Sequence, residues 1–285
     1  MTDKQHPSRF ATNAVHSGTQ HIGDAVNTPI FQSSTYKLTD ERYAGWAAGA
    51  QHTLLYARLS TVNSDAVAQK LMALEGGEDA ETFSSGMGAI SATLMALLNQ
   101  GDHMVASADI YGGTYGLLTE EFPRFGISTT MADMRDPASY EAAIQDNTKL
   151  LYIETLTNPV LKVCDIEAMA DVAKRHNLLL LIDNTFASPW GCKPLDMGVD
   201  LVLHSTTKYL GGHSDILGGA VVGSKDLIAQ IFMRKVHFGA APDPHSCYLL
   251  ERGMRTLDVR MPRICENAHL LAQRLESHDA IERVY

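Results

Sequence analysis

The chain is expected to adopt an α/β fold built on a mainly parallel sheet covered on both faces, and three observations lead there. From about residue 80 to 225, short apolar runs alternate with segments of helical period. The run Leu178-Leu-Leu-Leu-Ile182 is apolar at every position, as a central strand buried on both faces must be. The 285 residues, 45% hydrophobic and 20% charged, suffice for a sizeable core, and length alone points to roughly two domains.

Strands are expected at 103–107, 128–132, 150–154, 178–183, 201–204 and 220–223. Between them, 87–98 reads as a helix with Ile90, Leu94, Leu97 and Leu98 on one face. A second helix, 166–176, starts after Asp165, a good N-cap, and stops near Asn177. Residues 1–55 are rich in Thr, Ser, Gln, Asn and Gly with weak periodicity, and read as an extended arm lying on another surface, a second subunit being a reasonable one. Past the alternating region, 228–237 and 264–275 look helical, the latter placing Ile264, Ala268, Leu271 and Leu275 on one face. Ile281-Glu-Arg-Val-Tyr285 reads as a strand.

Charge and cysteines exclude several functions. Lys and Arg number 23 against 33 Asp and Glu, a net charge of −10 with no basic run, which argues against nucleic acid and membrane surfaces as partners. No window reaches the roughly 18 apolar residues of a membrane span, and the first nine residues carry no signal-peptide core. Cys164, Cys192, Cys247 and Cys265 lie far apart, at no zinc-binding spacing, so no metal site is expected. Reduced thiols in the cytoplasm are the expected state.

Four clusters carry chemistry. Ser84-Ser-Gly-Met-Gly-Ala89 is a small-residue turn opening into a helix, where N–H groups favour an anion; a plain tight turn is the other reading. Asp183 stands at the carboxyl end of the buried apolar strand, the edge where ligands of open α/β sheets collect, though an Asx-turn would also place it there. His204-Ser-Thr-Thr-Lys-Tyr-Leu-Gly-Gly-His213 sets hydroxyls at Ser205, Thr206 and Thr207 directly before Lys208, against the bland reading of a solvated lysine; both histidines read as structural. Tyr111, after the strand ending at Ser107, is placed to stack on a flat ring, or is an ordinary half-buried aromatic. No Walker A loop or G-x-G-x-x-G fingerprint occurs. Together, an anion cradle, a stacking aromatic, a buried acid and a lysine among hydroxyls are the parts needed to hold pyridoxal 5'-phosphate.

Seven motifs occur in order along the chain: Asn27-Thr-Pro-Ile-Phe-Gln-Ser-Ser-Thr-Tyr36, Tyr56-Ala-Arg58, Ser84-Ser-Gly-Met-Gly-Ala89, Glu154-Thr-Leu-Thr-Asn-Pro159, Asp183-Asn-Thr185, Ser205-Thr-Thr-Lys-Tyr209 and Arg252-Gly-Met-Arg-Thr-Leu257. In these the chain resembles the Cys/Met-metabolism (trans-sulfuration) family of pyridoxal-phosphate enzymes. The resemblance implies an aspartate-aminotransferase-like architecture of fold type I, with an arm at 1–55, a large cofactor domain at 56–245 and the beginning of a small C-terminal α/β domain at 246–285. It implies Lys208 as the Schiff-base lysine and the base at Cα, and Asp183 as the partner of the pyridinium nitrogen. Tyr111 becomes the stacking ring and a helper of leaving-group departure. Gly86, Met87, Ser205 and Thr207 correspond to the phosphate cup, and Asn158 to the ring-hydroxyl side. Tyr56 and Arg58 would reach the phosphate of a neighbouring subunit in a homotetramer of two active dimers.

The implied activity is elimination or γ-replacement on sulfur-containing amino acids or homoserine esters, as in cystathionine γ-lyases and γ-synthases. Methionine γ-lyases typically carry a cysteine where Gly113 stands, which points away from that specificity. Family members continue past the position of Tyr285, and the arginine that clamps the substrate carboxylate has no counterpart in context between Arg252 and Arg283. A truncated C-terminal domain is therefore expected. The competing expectation is a non-catalytic homologue that retains at most cofactor binding and an oligomer interface.

Overall fold

The computed structural model describes residues 7–50 and 52–285. Seven strands make one sheet: β1 (Asp79–Phe83), β2 (His103–Ser107), β3 (Ser128–Ala132), β4 (Thr148–Glu154), β5 (Leu179–Asp183), β6 (Leu201–Ser205) and β7 (Gly219–Gly223). Their order is β1-β7-β6-β5-β4-β2-β3. β7 pairs antiparallel with β1 and β6, while the remaining pairs are parallel, so the carboxyl ends of six strands share one edge. The expected mainly parallel α/β sheet is thus present.

Helices complete the layers: α1 (Pro7–His16), α2 (Asp40–Ala47), α3 (Val62–Glu75), α4 (Gly86–Leu97), α5 (Gly112–Gly116), α6 (Pro137–Ala142), α7 (Ile166–Arg175), α8 (Ser188–Gly191), α9 (Lys225–Phe238), α10 (Pro244–Met254) and α11 (Leu257–Glu276). Strand alternation divides the core. Tyr152, Leu181, Leu203 and Val221 pack with Leu94 of α4 and Ile231 of α9 on one face. On the other, Ile153, Ile182 and Val202 meet Met169 of α7, and Ala220 and Val222 meet Leu71 of α3 and Leu250 of α10. Each layer buries one face of the sheet, which is why the central strands are apolar throughout.

Local chemistry sets the helix ends. The Asp165 carboxylate accepts the Ala168 N–H, the cap its sequence position predicts, and Asn177 closes α7 in the left-handed region at φ 52°. Thr61 and Ser64 form a reciprocal capping box at the start of α3.

Several expectations are corrected. The stretch expected to be an extended arm holds α1 and α2, its residues 1–6 and 51 lying outside the described residues. Residues 281–285 form no strand. β1, α3 and α10 are additional elements, and α11 runs seven residues further toward the N-terminus than 264, straight through Pro262. The stripe of α11 exists, yet Leu271 is 57% exposed in this chain. Among the described residues no helix is long and apolar enough to cross a membrane.

Candidate cofactor site

The shared strand edge opens on a cavity of about 1270 Å³, lined by Gly86, Met87, Tyr111, Asn158, Asp183, Ser205, Thr207 and Lys208. These residues come from five separate chain segments, which converge because the parallel strands deliver their loops to the same side.

The turn between β1 and α4 presents a wall of backbone N–H groups suited to an anion. Ser85 caps α4, its hydroxyl accepting the Gly88 N–H at 3.0 Å, and its carbonyl takes the Ala89 N–H at 3.0 Å. The Gly86 and Met87 N–H groups are left to a ligand, at the positive end of the helix dipole. A Cβ on Gly86 would sit 2.9 Å from Ser205 Cβ, so only glycine lets this turn approach the β6 loop. The Thr207 hydroxyl, on the same wall, accepts the Gly218 N–H at 3.1 Å.

Asp183 ends β5. Its carboxylate accepts the Thr185 N–H at 3.0 Å and the Thr185 hydroxyl, which in turn accepts the Ser205 N–H at 2.8 Å. The group opens on the cavity but is enclosed by protein, and desolvation raises its pKa above the ordinary carboxylate value. A cationic ring nitrogen beside it would relieve that cost.

Lys208 follows in a tight turn. Its N–H bonds the Ser205 carbonyl at 3.2 Å and its carbonyl accepts the Gly212 N–H at 2.8 Å, so the backbone that carries the amine is fixed at both ends. His204 is fully buried against Glu75, and His213 Nδ1 lies 2.8 Å from the Gly211 carbonyl; both are structural, as expected.

Glu154 is a cavity residue that the sequence reading did not single out. It ends β4 opposite Asp183, only 4% exposed. Its two oxygens accept the N–H of Tyr111 at 2.8 Å and of Asn158 at 3.3 Å, anchoring both ligand-facing loops. Burial, then the neighbouring Asp183 charge, push its pKa up to about 8. The signal that exposes Asp183, an acid closing an apolar strand, applies equally to Glu154.

Tyr111 is 45% exposed, its ring free to cover a flat ligand. Gly113 lies against it: a Cβ there would fall 2.6 Å from Tyr111 Cε1 and 3.1 Å from Met87 Sδ. Tyr56 and Arg58 do not line the cavity. Arg58 Nη1 donates to the Val236 carbonyl at 2.7 Å, and its guanidinium stands 5.4 Å from the Tyr56 ring centre.

These donors fit pyridoxal phosphate: free helix N–H groups and hydroxyls for an anion, an aromatic face, an acid and an amine on a single cavity.

Comparison with known proteins agrees. The chain is 43% identical over 283 residues to an L-methionine gamma-lyase of Porphyromonas gingivalis, covering 98% of this chain and 71% of that protein. It is 45% identical over 262 residues to a cystathionine gamma-lyase of Bacillus subtilis, covering 92% and 67%. The crystal structure of cystathionine gamma-lyase from Lactobacillus plantarum complexed with L-serine superposes with a TM-score of 0.89 at 39% identity, covering 97% of this chain and 71% of that one. The fold is that of the pyridoxal-phosphate enzymes of fold type I, and the cofactor is pyridoxal 5'-phosphate. With the family pattern matching residues 11–285, the chain belongs to the Cys/Met metabolism PLP-dependent enzyme family.

Proposed function

We propose that the protein eliminates or replaces a substituent at the β or γ carbon of sulfur-containing amino acids or homoserine esters, in the manner of cystathionine γ-lyases and γ-synthases. One observation carries the reading: the Lys208 amine, the Asp183 carboxylate and the α4 anion wall share one cavity.

The bound cofactor supplies an electron sink for charge developing at the substrate Cα. The N–H groups of Gly86 and Met87, with the hydroxyls of Ser205 and Thr207, hold its phosphate. Asp183 would keep a proton on the ring nitrogen, Tyr111 would cover the ring face, and Asn158 would serve the ring-hydroxyl side. Lys208 Nζ would hold the cofactor and, once the incoming substrate amine displaces it, would be free to take the Cα proton and return it toward the departing group. The Tyr111 hydroxyl assists that departure.

Tyr56 and Arg58, turned away from their own cavity, serve that of a neighbouring subunit in a homotetramer of active dimers. Residues 56–245 form the cofactor domain and 246–285 begin the small C-terminal one. Gly113, standing where methionine γ-lyases typically carry a cysteine, supports a cystathionine-like substrate over methionine. Reduced, scattered cysteines support a cytoplasmic location.

Incubating the chain with pyridoxal phosphate and cystathionine should release α-keto acid and thiol, and Lys208→Ala should abolish both turnover and the visible cofactor absorbance. Normal turnover by Lys208→Ala would overturn the assignment. Cofactor absorbance without turnover in the parent chain would instead establish a non-catalytic homologue.

A further inference from the structure

Behind the cavity, on the opposite face of the sheet, four buried polar side chains form one connected group. Glu75 Oε1, at the end of α3, lies 2.6 Å from His204 Nε2 and accepts from Asn184 Nδ2 at 3.2 Å. Asn184 Oδ1 accepts the Thr155 hydroxyl at 2.7 Å, and its Nδ2 also donates to the Cys192 carbonyl at 3.0 Å. Exposure is 0% for Glu75 and Asn184, 1% for His204 and 6% for Thr155.

The sequence positions are what give this group meaning. Thr155 follows Glu154, Asn184 follows Asp183, and His204 precedes Ser205, so three of the four members are immediate neighbours of cavity-lining residues, and Glu75 joins two of those three directly. Neighbouring side chains on extended backbone point to opposite faces. The cavity and the buried group are thus the two faces of the same three strand ends. The β5–β6 ladder stops at Asp183 opposite Leu203, one residue short of Asn184 and His204. Past the ladders the backbone supplies one further bond at each junction, Thr155 N–H to the Asp183 carbonyl at 3.1 Å and Asn184 N–H to the Leu203 carbonyl at 2.9 Å, and side chains then take over: the Ser205 N–H goes to the Thr185 hydroxyl.

We propose that Glu75 is a positioning residue of the cofactor site, tying the ends of β4, β5 and β6 together through Thr155, Asn184 and His204. Stability alone gives a poor account of it. A buried carboxylate with polar partners rarely outperforms apolar residues of the same volume, so its use here reflects the need for defined geometry at the site in front of it. The apolar side chains of the surrounding core could fill the space but could not fix three strand ends relative to one another.

The inference rests on the cofactor reading of the cavity, and the experiment separates the two. The full chain, Glu75→Leu, Glu75→Gln and Thr155→Val are titrated with pyridoxal phosphate, with affinity and the visible absorbance maximum as readouts and borohydride trapping of the Lys208 adduct as control. Glu75→Leu should bind about tenfold more weakly, the low end of what losing an outer hydrogen-bond partner costs a metal site. Its absorbance maximum should shift, and Glu75→Gln, which keeps an acceptor oxygen, should restore most of both. Thr155→Val removes only the outermost link and should show a smaller loss in the same direction, which keeps the test alive should Glu75→Leu fail to fold. Unchanged affinity and absorbance in the folded variants, with normal trapping in the parent chain, would overturn the positioning role. Absence of trapping in the parent chain would overturn the cofactor reading and the inference built on it.

Discussion

The proton on Glu154 offers a quantitative test of the site's electrostatics. In the folded, cofactor-free chain this carboxyl keeps its proton to about pH 8, whereas its ordinary value is 4.5. Between those values the folded state binds more protons than the unfolded one, so stability falls as pH rises from about 4.5 toward 8 and is flat on either side. At 1.36 kcal/mol per unit of pKa, the full loss is about 5 kcal/mol, and between pH 5 and 7.5 it is about 3 kcal/mol. Glu154→Gln removes this titration. The variant gives up one acceptor for the Tyr111 or Asn158 N–H, a cost of about 1–3 kcal/mol that does not depend on pH. The informative quantity is therefore the slope rather than the offset.

Urea unfolding of both apo chains, followed at several pH values from 5 to 8, reads it directly. The variant should gain on the parent by about 3 kcal/mol across pH 5 to 7.5. Parallel stability curves for the two chains would refute the claim that Glu154 is protonated in the dry face of the cavity.

Three further outcomes follow from other parts of the molecule. Gly86→Ala should weaken pyridoxal phosphate binding in absorbance titrations, because its Cβ would meet Ser205 Cβ at 2.9 Å and pry the two anion-binding walls apart; unchanged affinity would show that the close approach is dispensable. Lys235 and Glu81 form a pair at 2.9 Å, each 2% exposed, so Lys235→Met should cost about 3–5 kcal/mol in urea unfolding while the double change Lys235→Met/Glu81→Leu recovers most of it. His52, bonded to Asp65 at 2.9 Å with Asp79 at 3.7 Å, has its pKa raised to about 10. It stabilises the fold fully below about pH 6.5 and loses that contribution as pH climbs through 10, so its imidazole resonances in NMR should titrate near 10, and a midpoint near 6.5 would dismiss the pairing.

What the sequence disclosed follows the physics of burial. β2 and β3 fall at their expected residues because each is a short run between clear turn signals. β1 escaped because Asp79-Ala-Glu-Thr-Phe83 carries two acids, and Glu81 is tolerable in a buried strand only through Lys235, 154 positions away. The α3 helix escaped for a related reason. It is buried by other elements on more than one side, and Asn63, Ser64, Lys70 and Glu75 all lie inside, erasing the polar face that periodicity depends on. Lys70 is satisfied by the carbonyls of Ala14 and Val15, so the polar interior of α3 is also what seats α1, a helix that composition presented as extended arm.

The site divides along the same line. Asp183, Lys208, Tyr111 and the α4 turn were legible because their positions obey a topological rule: ligands gather where parallel strands end, and each of these residues follows a recognisable strand or opens a recognisable helix. Glu154 obeys the same rule. Glu75 obeys none that can be read locally. Its meaning arises only when α3 packs behind the sheet and brings residue 75 against residue 204, a separation of 129 positions. A motif can record which side chains meet the ligand, since their spacing is set within a loop or a turn. The group that holds those side chains in register is assembled by tertiary packing, and its members enter the sequence as isolated polar residues inside otherwise apolar elements. In this chain, therefore, buried polar residues next to legible site residues are the positions where positioning function should be sought.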